Sequence, residues 1–542
     1  MKPVETGQFG HHRGDGSDHK CCSSSRSSCS NPRATLCPSS SASAIATRIS
    51  LLIVCAFTIF LVFFCDDYTE HATTSRNVLL MHDHPASTRE QKPAELELQE
   101  NSAKLTSSCK GRLVYVYNIS EVYNREFVRE CASFKKGRDL CMYMENLGMG
   151  RGFGFGVDHG GPVGGESEQG PWYNTWQFAL ELYFHERLLR HPCVTERKDL
   201  ATAFFLPYYA GMDLSRRFTH RLAKDELYMN LGKWLQGRES WKLREGRDHF
   251  MVLGRIASDF HREGGDRDWG NRMLRQKAFK EMVVVAIEHT YGRFREGASI
   301  DNEIAIPYPT YFHASSDGEI QSLIAWLGQG LQRVSLATMA AGQRSPSTNK
   351  MRYRLMTQCG DDPRCTLLRC VGHESSSSLP DQIGNISSSM KLEGKTLDVP
   401  CNNPQVLLNA MHQSEFCLQP PGDSPTRRSF FDSMLVGCIP VIFHREAAWS
   451  QYVHHLPENG ESYSVFIPMA LAIKSNVLNI LSEIKESKIK EMRANIAKLI
   501  PRILYARLSE SPTGKSNSAD QTLDAFDIAL DQVLKRITSR QS

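Results

Sequence analysis

One stretch restricts the fold more than any other: FCLQPPGDSPTRRSFFDSMLVGCIPVIF, Phe416 to Phe443. Phe416, Cys417 and Leu418 form an apolar run that Pro420, Pro421 and Gly422 stop, the pattern of a buried strand entering a turn. Ser424 followed by Pro425 reads as a helix start, with the serine as N-cap and the proline at the first helical position. Phe430, Phe431, Met434 and Leu435 then recur at helical spacing. Gly437 ends the helix, and Ile439 to Phe443 is a second apolar run. Strand, helix and strand within about thirty residues make a βαβ unit, which requires a parallel sheet. Ligands of such sheets bind at the carboxyl ends of the strands, where helix N-termini point N–H groups at anions. Arg427 and Arg428 fall in the first turn, where the helix dipole disfavours cations. Their presence points to an anionic partner, and phosphate suits an arginine fork. The alternative is two solvated arginines on a surface helix.

The rest of the chain repeats this layering. LVYVYNI follows Gly111, and strand-like runs occupy 201–211, 248–255, 282–289 and 303–313. A helix is predicted from Trp172 to His191, with Phe178, Leu182, His185 and Leu189 on one face. The glycine-rich MGRGFGFGVDHGGPVGG, Met149 to Gly165, lacks the Lys-Ser/Thr of a phosphate loop and reads as a mobile loop. Strands alternating with helices imply parallel α/β layers. The expected organisation is an α/β lobe at 109–330, a second α/β lobe at 331–475, a cleft between them and a helical region at 476–542.

Ile49 to Cys65 is different, with 17 residues and no charge. It is long enough to span a bilayer. Lys2, Arg13, Lys20, Arg26, Arg33 and Arg48 precede it, and Asp66, Asp67 and Glu70 follow it. The charge asymmetry places the N-terminus in the cytosol and the remainder in a lumen. Residues 1–48 then form a disordered cytosolic tail, 49–65 a transmembrane signal-anchor and 66–108 a luminal stem. Ten of the 16 cysteines lie beyond the span. Cys359, Cys365, Cys370 and Cys401 lack CxxC spacing, so disulfides are expected in place of a zinc site. Cys417 and Cys438 lie in predicted strands and read as buried free thiols. Asn118 and Asn385 begin glycosylation sequons, with Asn118 expected to be partly buried. A net charge of +4 over 542 residues gives no reason to expect nucleic acid.

Together these blocks resemble the plant branch of the exostosin-like glycosyltransferases, the xyloglucan galactosyltransferase group. The resemblance is carried by the opening stretch, IAIPYPTYFH, RDHFMVLGRI with DWGN, FFLPYYAGMDL and WQFALELYFHERLLRHPC, and spans Cys109 to Pro457. It implies a GT-B type fold of two Rossmann-like lobes, the donor in the second and the acceptor in the first. It also implies a type II Golgi membrane protein, a UDP-sugar donor, an inverting reaction on xyloglucan or a related polysaccharide, and other cell-wall glycosyltransferases as companions. On this basis Pro421, Gly422, Asp423 and Ser424 approach the diphosphate, Arg427 or Arg428 pairs with it, Arg344 contacts it, and Asp432 reaches ribose or sugar hydroxyls. From the residues alone, Asp432 could instead pair with Arg428 four positions earlier. The sequence departs from the family pattern at Met339 to Arg344, where relatives carry a Phe-Ala-Gly-Ala-Pro-Arg-like run, and at Ser258, where they carry tryptophan.

Inverting transfer needs a base, a stabiliser for the departing diphosphate and two aligned substrates. Candidate bases are Asp259, His249, His185, Asp248 and Glu288, with Asp259 and His249 expected at a strand end facing the cleft. Asp266-Arg267-Asp268 matches an Asp-x-Asp metal motif but falls in the acceptor lobe, so no cofactor or metal is expected. Galactose is the first donor sugar expected, with galacturonic acid or arabinose as alternatives. Two further readings are a catalytically silent homologue that binds glycan or scaffolds active enzymes, and an adhesion ectodomain. The topology has a direct test. A C-terminal tag in intact microsomes should resist protease until detergent is added, and digestion without detergent would contradict it.

Overall fold

The computed structural model describes residues 109–541, except 135–138, 156–169, 217–222, 266–267, 292–299, 330–332, 344–345, 348, 372–391, 393, 401–402 and 508–522. The predicted tail, membrane segment and stem, Arg344, Asn385 and the first two residues of Asp266-Arg267-Asp268 lie outside the described residues. Among those described, no helix is long and apolar enough to cross a membrane.

Two parallel sheets organise the chain. The first holds β1 (Val114–Val116), β2 (Ala203–Phe205), β3 (His249–Leu253), β4 (Val283–Ala286) and β5 (Glu303–Ala305), in that spatial order. Strands such as Val283–Ala286 are apolar and buried throughout, because helices cover both faces of a parallel sheet. The second holds β6 (Ser335–Gly342), β7 (Cys365–Val371), β8 (Thr396–Pro400), β9 (Ser414–Gln419), β10 (Ile439–Ile442) and β11 (Val465–Phe466), in the order β11-β10-β9-β6-β7-β8. The chain steps outward from β6 through β7 to β8, then returns to β9 on the other flank of β6. At such a reversal the loops leaving the two central strands diverge and open a crevice at their carboxyl ends. The strand order of the first sheet has no reversal among the described residues, so the switch point belongs to the second lobe, at the carboxyl ends of β6 and β9.

The helices that matter below are α1 (Leu180–Leu189), α2 (Lys350–Asp361), α3 (Arg428–Leu435), α4 (Glu486–Ile503) and α5 (Ala525–Ser539). The predicted helix from Trp172 starts later, because Trp172 bridges Phe312 and Tyr173 bridges Gly152. The glycine-rich stretch expected to be mobile is docked where it is described: Met149 and Phe155 are buried, with Phe155 4.9 Å from the Trp172 ring. Gly150 has φ +89, and a Cβ there would lie 2.3 Å from the Asn174 carbonyl oxygen. The last helix returns to the first lobe. Phe526 packs 4.6 Å from Phe184, and Arg536 Nη1 donates to the Asp301 and Glu303 carbonyls at 2.7 and 3.1 Å.

The βαβ unit is present, with β9 and β10 parallel and Ile439 opposite Phe416. Its helix begins at Arg428, not at Ser424, and Arg427 is an extended N-cap with φ −150 and ψ 140. Gly437 closes the helix with φ +69. Disulfides join Cys109 to Cys193, Cys131 to Cys141, Cys359 to Cys365 and Cys417 to Cys438, and Cys370 is also disulfide-bonded. The expectation of free thiols at Cys417 and Cys438 is therefore corrected. Their strands are neighbours, and their Cα atoms lie 5.8 Å apart, within bonding range. Asn118 is exposed, not partly buried. Replacing both Cys417 and Cys438 by alanine should cost about 3 kcal/mol in denaturant unfolding, the chain-entropy value for a loop of this span. An unchanged midpoint would contradict the crosslink.

Candidate active site

Two arginines, Arg427 and Arg352, stand at the reversal of the second sheet. Gln419 ends β9, and its side chain accepts from Ser429 Oγ at 2.6 Å and donates to the Ser429 carbonyl at 3.1 Å, fixing the start of α3. Between them the chain turns, with Gly422 N donating to the Ser424 carbonyl at 2.8 Å. Asp423 is exposed on this turn. Arg427 lies back over its own sheet. It donates to the Ala340 and Pro420 carbonyls at 3.1 Å each and to Ser429 Oγ at 3.3 Å. The Ala340 contact bridges β6 and β9 at the reversal. Among the described residues none of these partners is a carboxylate. Burial first, and Arg352 second, pull the Arg427 guanidinium down to about 10. Arg352, on α2, donates to the Pro421 carbonyl at 3.1 Å, and a Cβ on Gly422 would lie 3.1 Å from its Nη2. Two arginines beside a glycine turn at a sheet reversal form a place for a polyanion.

Arg428 does other work. It is buried and reaches the first lobe, donating to the Thr175 carbonyl and lying 3.5 Å from the centre of the Tyr311 ring. Its Nε lies 3.1 Å from Asp432 Oδ2, and Asp432 Oδ1 accepts from Tyr311 N at 3.3 Å. Burial raises the Asp432 carboxyl to about 6 against the pull of Arg428. Asp432 is thus engaged in a clasp between lobes, the pairing with Arg428 that the sequence left open, and is not presented to a ribose.

A second contact crosses the junction. Glu288 follows β4, is fully buried, and accepts from Thr426 Oγ1. The Thr426 hydroxyl lies 3.1 Å from the Tyr308 hydroxyl. Thr426 has one proton and gives it to Glu288, so Tyr308 must donate to Thr426. Burial holds the Tyr308 phenol protonated well above its usual range. Glu288 Oε1 is buried with no hydrogen-bond partner among the described residues. Burial lifts the Glu288 carboxyl to about 7, the Thr426 and Ser424 side chains oppose the rise, and nearby Asp259 adds to it. A desolvated carboxyl near neutrality is suited to proton transfer.

The other candidates separate. Asp259 lies beyond the carboxyl end of β3, as expected, and accepts from Arg255 Nε at 2.8 Å and Trp269 Nε1 at 2.6 Å. His249 does not face the cleft. It is the first residue of β3, at the amino end, where it contacts Asp248 at 2.7 Å and the Tyr117 hydroxyl at 2.8 Å and stacks on Phe204. Asp248 shares that remote position. His185 packs within the first lobe, 2.9 Å from the Tyr209 hydroxyl, and burial lowers its imidazole to about 4. Sequence reasoning passed over Thr426, Tyr308 and Arg255, although each lies inside a quoted block. It also passed over Glu181, which accepts from Gly211 N at 2.5 Å and Met212 N at 3.1 Å and is lifted by burial to about 8. A glutamate within an apolar helix was its only signal.

Two parallel α/β lobes joined by buried polar contacts, with an arginine pair in one and a near-neutral carboxyl from the other, suit a two-substrate group-transfer enzyme. Residues 108–484 match the Exostosin GT47 domain, and the chain belongs to that glycosyltransferase family. It is 34% identical over 447 residues to the probable xyloglucan galactosyltransferase GT15 of Arabidopsis thaliana, covering 79% of this chain and 83% of that protein. It is 34% identical to the xyloglucan galactosyltransferase MUR3 of the same plant, over 79% of this chain and 63% of that protein. It is 33% identical to the xyloglucan-specific galacturonosyltransferase 1, also of Arabidopsis thaliana, over 81% of this chain and 59% of that protein. A solved glycosyltransferase from Rickettsia africae is 10% identical over 79% of this chain and 98% of that one, with a TM-score of 0.33, too low to add to the topology described.

The raised carboxyls set a pH dependence. Glu288 and Asp432 hold their protons more tightly folded than unfolded. The folded state is therefore most favoured on the acid side, and stability falls as pH rises through the interval between their ordinary and raised values. The Glu288 part of that loss is at most about 3 kcal/mol, at 1.36 kcal/mol per pH unit. Unfolding midpoints measured from about pH 5 to pH 8 should fall in the wild type and fall less in E288Q; parallel curves would contradict the burial of an ionising Glu288.

Proposed function

We propose that the enzyme transfers a sugar, galactose first among the donors to test, from a UDP-sugar to a hydroxyl of a xyloglucan side chain with inversion. The observation that carries this reading is the meeting of Glu288, buried and lifted toward neutrality, with the Ser424–Thr426 end of the cationic turn. The diphosphate is placed against Arg427 and Arg352 in the reversal crevice. Glu288 takes the acceptor proton on Oε1 as the acceptor oxygen bonds to the anomeric carbon. The bond to the departing phosphate oxygen breaks on the opposite face, and UDP leaves with the electron pair. Charge on the leaving group is met by the arginines and the N–H groups opening α3, so the reaction is read as independent of a divalent metal.

The names of the relatives support a xyloglucan acceptor and leave two donor sugars in view, galactose and galacturonic acid. A galacturonosyl donor would add a carboxylate beside the arginine pair. The disulfides and the charge asymmetry around Ile49 to Cys65 support a Golgi type II protein with a luminal catalytic region. The arginines kept at the sheet reversal favour the active reading over the scaffold.

The test is a donor panel on xyloglucan oligosaccharides with three variants. E288Q should lower kcat by roughly 10² to 10⁴ and keep UDP affinity. R427A should weaken UDP binding roughly ten- to a hundredfold, and R427K should recover little of it. Full transfer by E288Q, or unchanged UDP affinity in R427A, would overturn the assignment of that residue.

A further inference from the structure

A large aromatic ring stands exposed beside this junction. Trp269 is 43% exposed and yet held in place. Its Nε1 donates to Asp259 Oδ1 at 2.6 Å, while Asp259 Oδ2 accepts from Arg255 Nε at 2.8 Å. The Arg255 guanidinium lies 4.9 Å from the centre of the Trp269 ring and 4.5 Å from that of Phe178. The next residue is pinned as well. Gly270 has φ +86, and a Cβ there would lie 2.2 Å from the Asp259 carbonyl oxygen, which accepts from Asn271 N at 2.9 Å. The same turn is tied to Glu288, whose carbonyl accepts from Ala257 N at 2.9 Å. Asp259 is also close enough to raise the Glu288 carboxyl.

Single exposed tryptophans are common on protein surfaces, and most have no role. Ordering an exposed side chain costs conformational entropy, and here two buried polar partners offset it. Here an aspartate and an arginine, themselves largely buried, hold the ring at the carboxyl edge of the first sheet, on the turn bonded to Glu288. An indole offers a broad, weakly polar face beside polar groups, the surface that recurs in small-molecule sites. The chemical class that matches is a pyranose ring, which has apolar C–H faces and hydroxyls at its rim.

We propose that Trp269 is the acceptor platform: a neutral pyranosyl unit of the acceptor glycan stacks on its exposed face and brings a neighbouring hydroxyl toward Glu288, with Asp259 and Arg255 as positioning residues. This rests on the transferase reading above. It assigns the acceptor to a surface of the first lobe that the donor does not use, so acceptor and donor binding should respond separately to mutation.

The experiment uses the full-length protein with UDP-galactose and a xyloglucan oligosaccharide. It measures the acceptor KM, the affinity for UDP, and binding of the oligosaccharide alone. W269A should raise the acceptor KM about tenfold, equivalent to about 1.4 kcal/mol, and weaken oligosaccharide binding in parallel, with UDP affinity within about twofold of wild type. W269F keeps an aromatic face and loses the bond to Asp259, and should recover part of the acceptor affinity. An unchanged acceptor KM in W269A overturns the platform. A loss of UDP affinity in W269A equal to its loss of oligosaccharide binding also overturns it, because the residue would then act on the fold and not on the acceptor. If the wild type transfers sugar and W269A matches it, only the platform falls. If the wild type neither transfers sugar nor binds the oligosaccharide, the xyloglucan reading and the platform fall together.

Discussion

Glu288 meets Thr426 where the carboxyl edges of the two sheets converge, and the arrangement of the site follows from that buried contact. A carboxylate removed from water is costly unless it is paired or protonated. Among the described residues Glu288 has no cation among its hydrogen-bond partners; it is held by the Thr426 hydroxyl, itself backed by Tyr308, with the Ser424 side chain nearby. The first lobe supplies the acid and the second lobe supplies the hydroxyl, so the group exists in this form only while the lobes are together. The Arg428–Asp432 clasp and the bond from Tyr452 to the Ile287 carbonyl at 2.9 Å hold that relation from either side. An unfavourable ionisation is thus maintained by favourable packing around it, the usual arrangement where a side chain is tuned for proton transfer.

The two adjacent arginines divide their tasks because the helix begins between them. Arg427 is still extended, and its side chain turns back across β9 and β6. Arg428 is the first helical residue, and its side chain crosses to the other lobe. Had the helix begun at Ser424, both would sit on one turn about 100° apart, with neither committed to the sheet reversal. The start falls after Thr426, whose hydroxyl is bonded to Glu288. A local helix signal yields here to a contact between lobes.

Much of the fold was legible because parallel sheets are built from apolar runs whose period and spacing survive in one dimension. The βαβ unit, the α/β layering, the helix end at Gly437 and the position of Asp259 all followed from local pattern. What failed depended on partners far along the chain. Cys417 and Cys438 are 21 residues apart and meet only through strand order. His249 looked like a strand-end residue, which it is, but the end it occupies depends on strand direction relative to the crevice. Asp432 had a local partner four residues away, and only the clasp to Tyr311 shows that this partner prevails. Glu288 stood among five candidate bases with nothing to favour it, because its environment comes from residues 424–426 and 308.

The central claim is that Glu288 is the base, and its ionisation should govern the rate. The most direct measurement is the pH dependence of kcat/KM for transfer to a xyloglucan oligosaccharide by the wild type and E288Q. A base must be deprotonated to act, so the wild-type rate should rise with pH, bend near about 7 and level off above it. The small residual rate of E288Q should show no such bend. A wild-type profile that stays flat down to about pH 5, or an E288Q profile that keeps the bend near 7, would assign the proton transfer to another group.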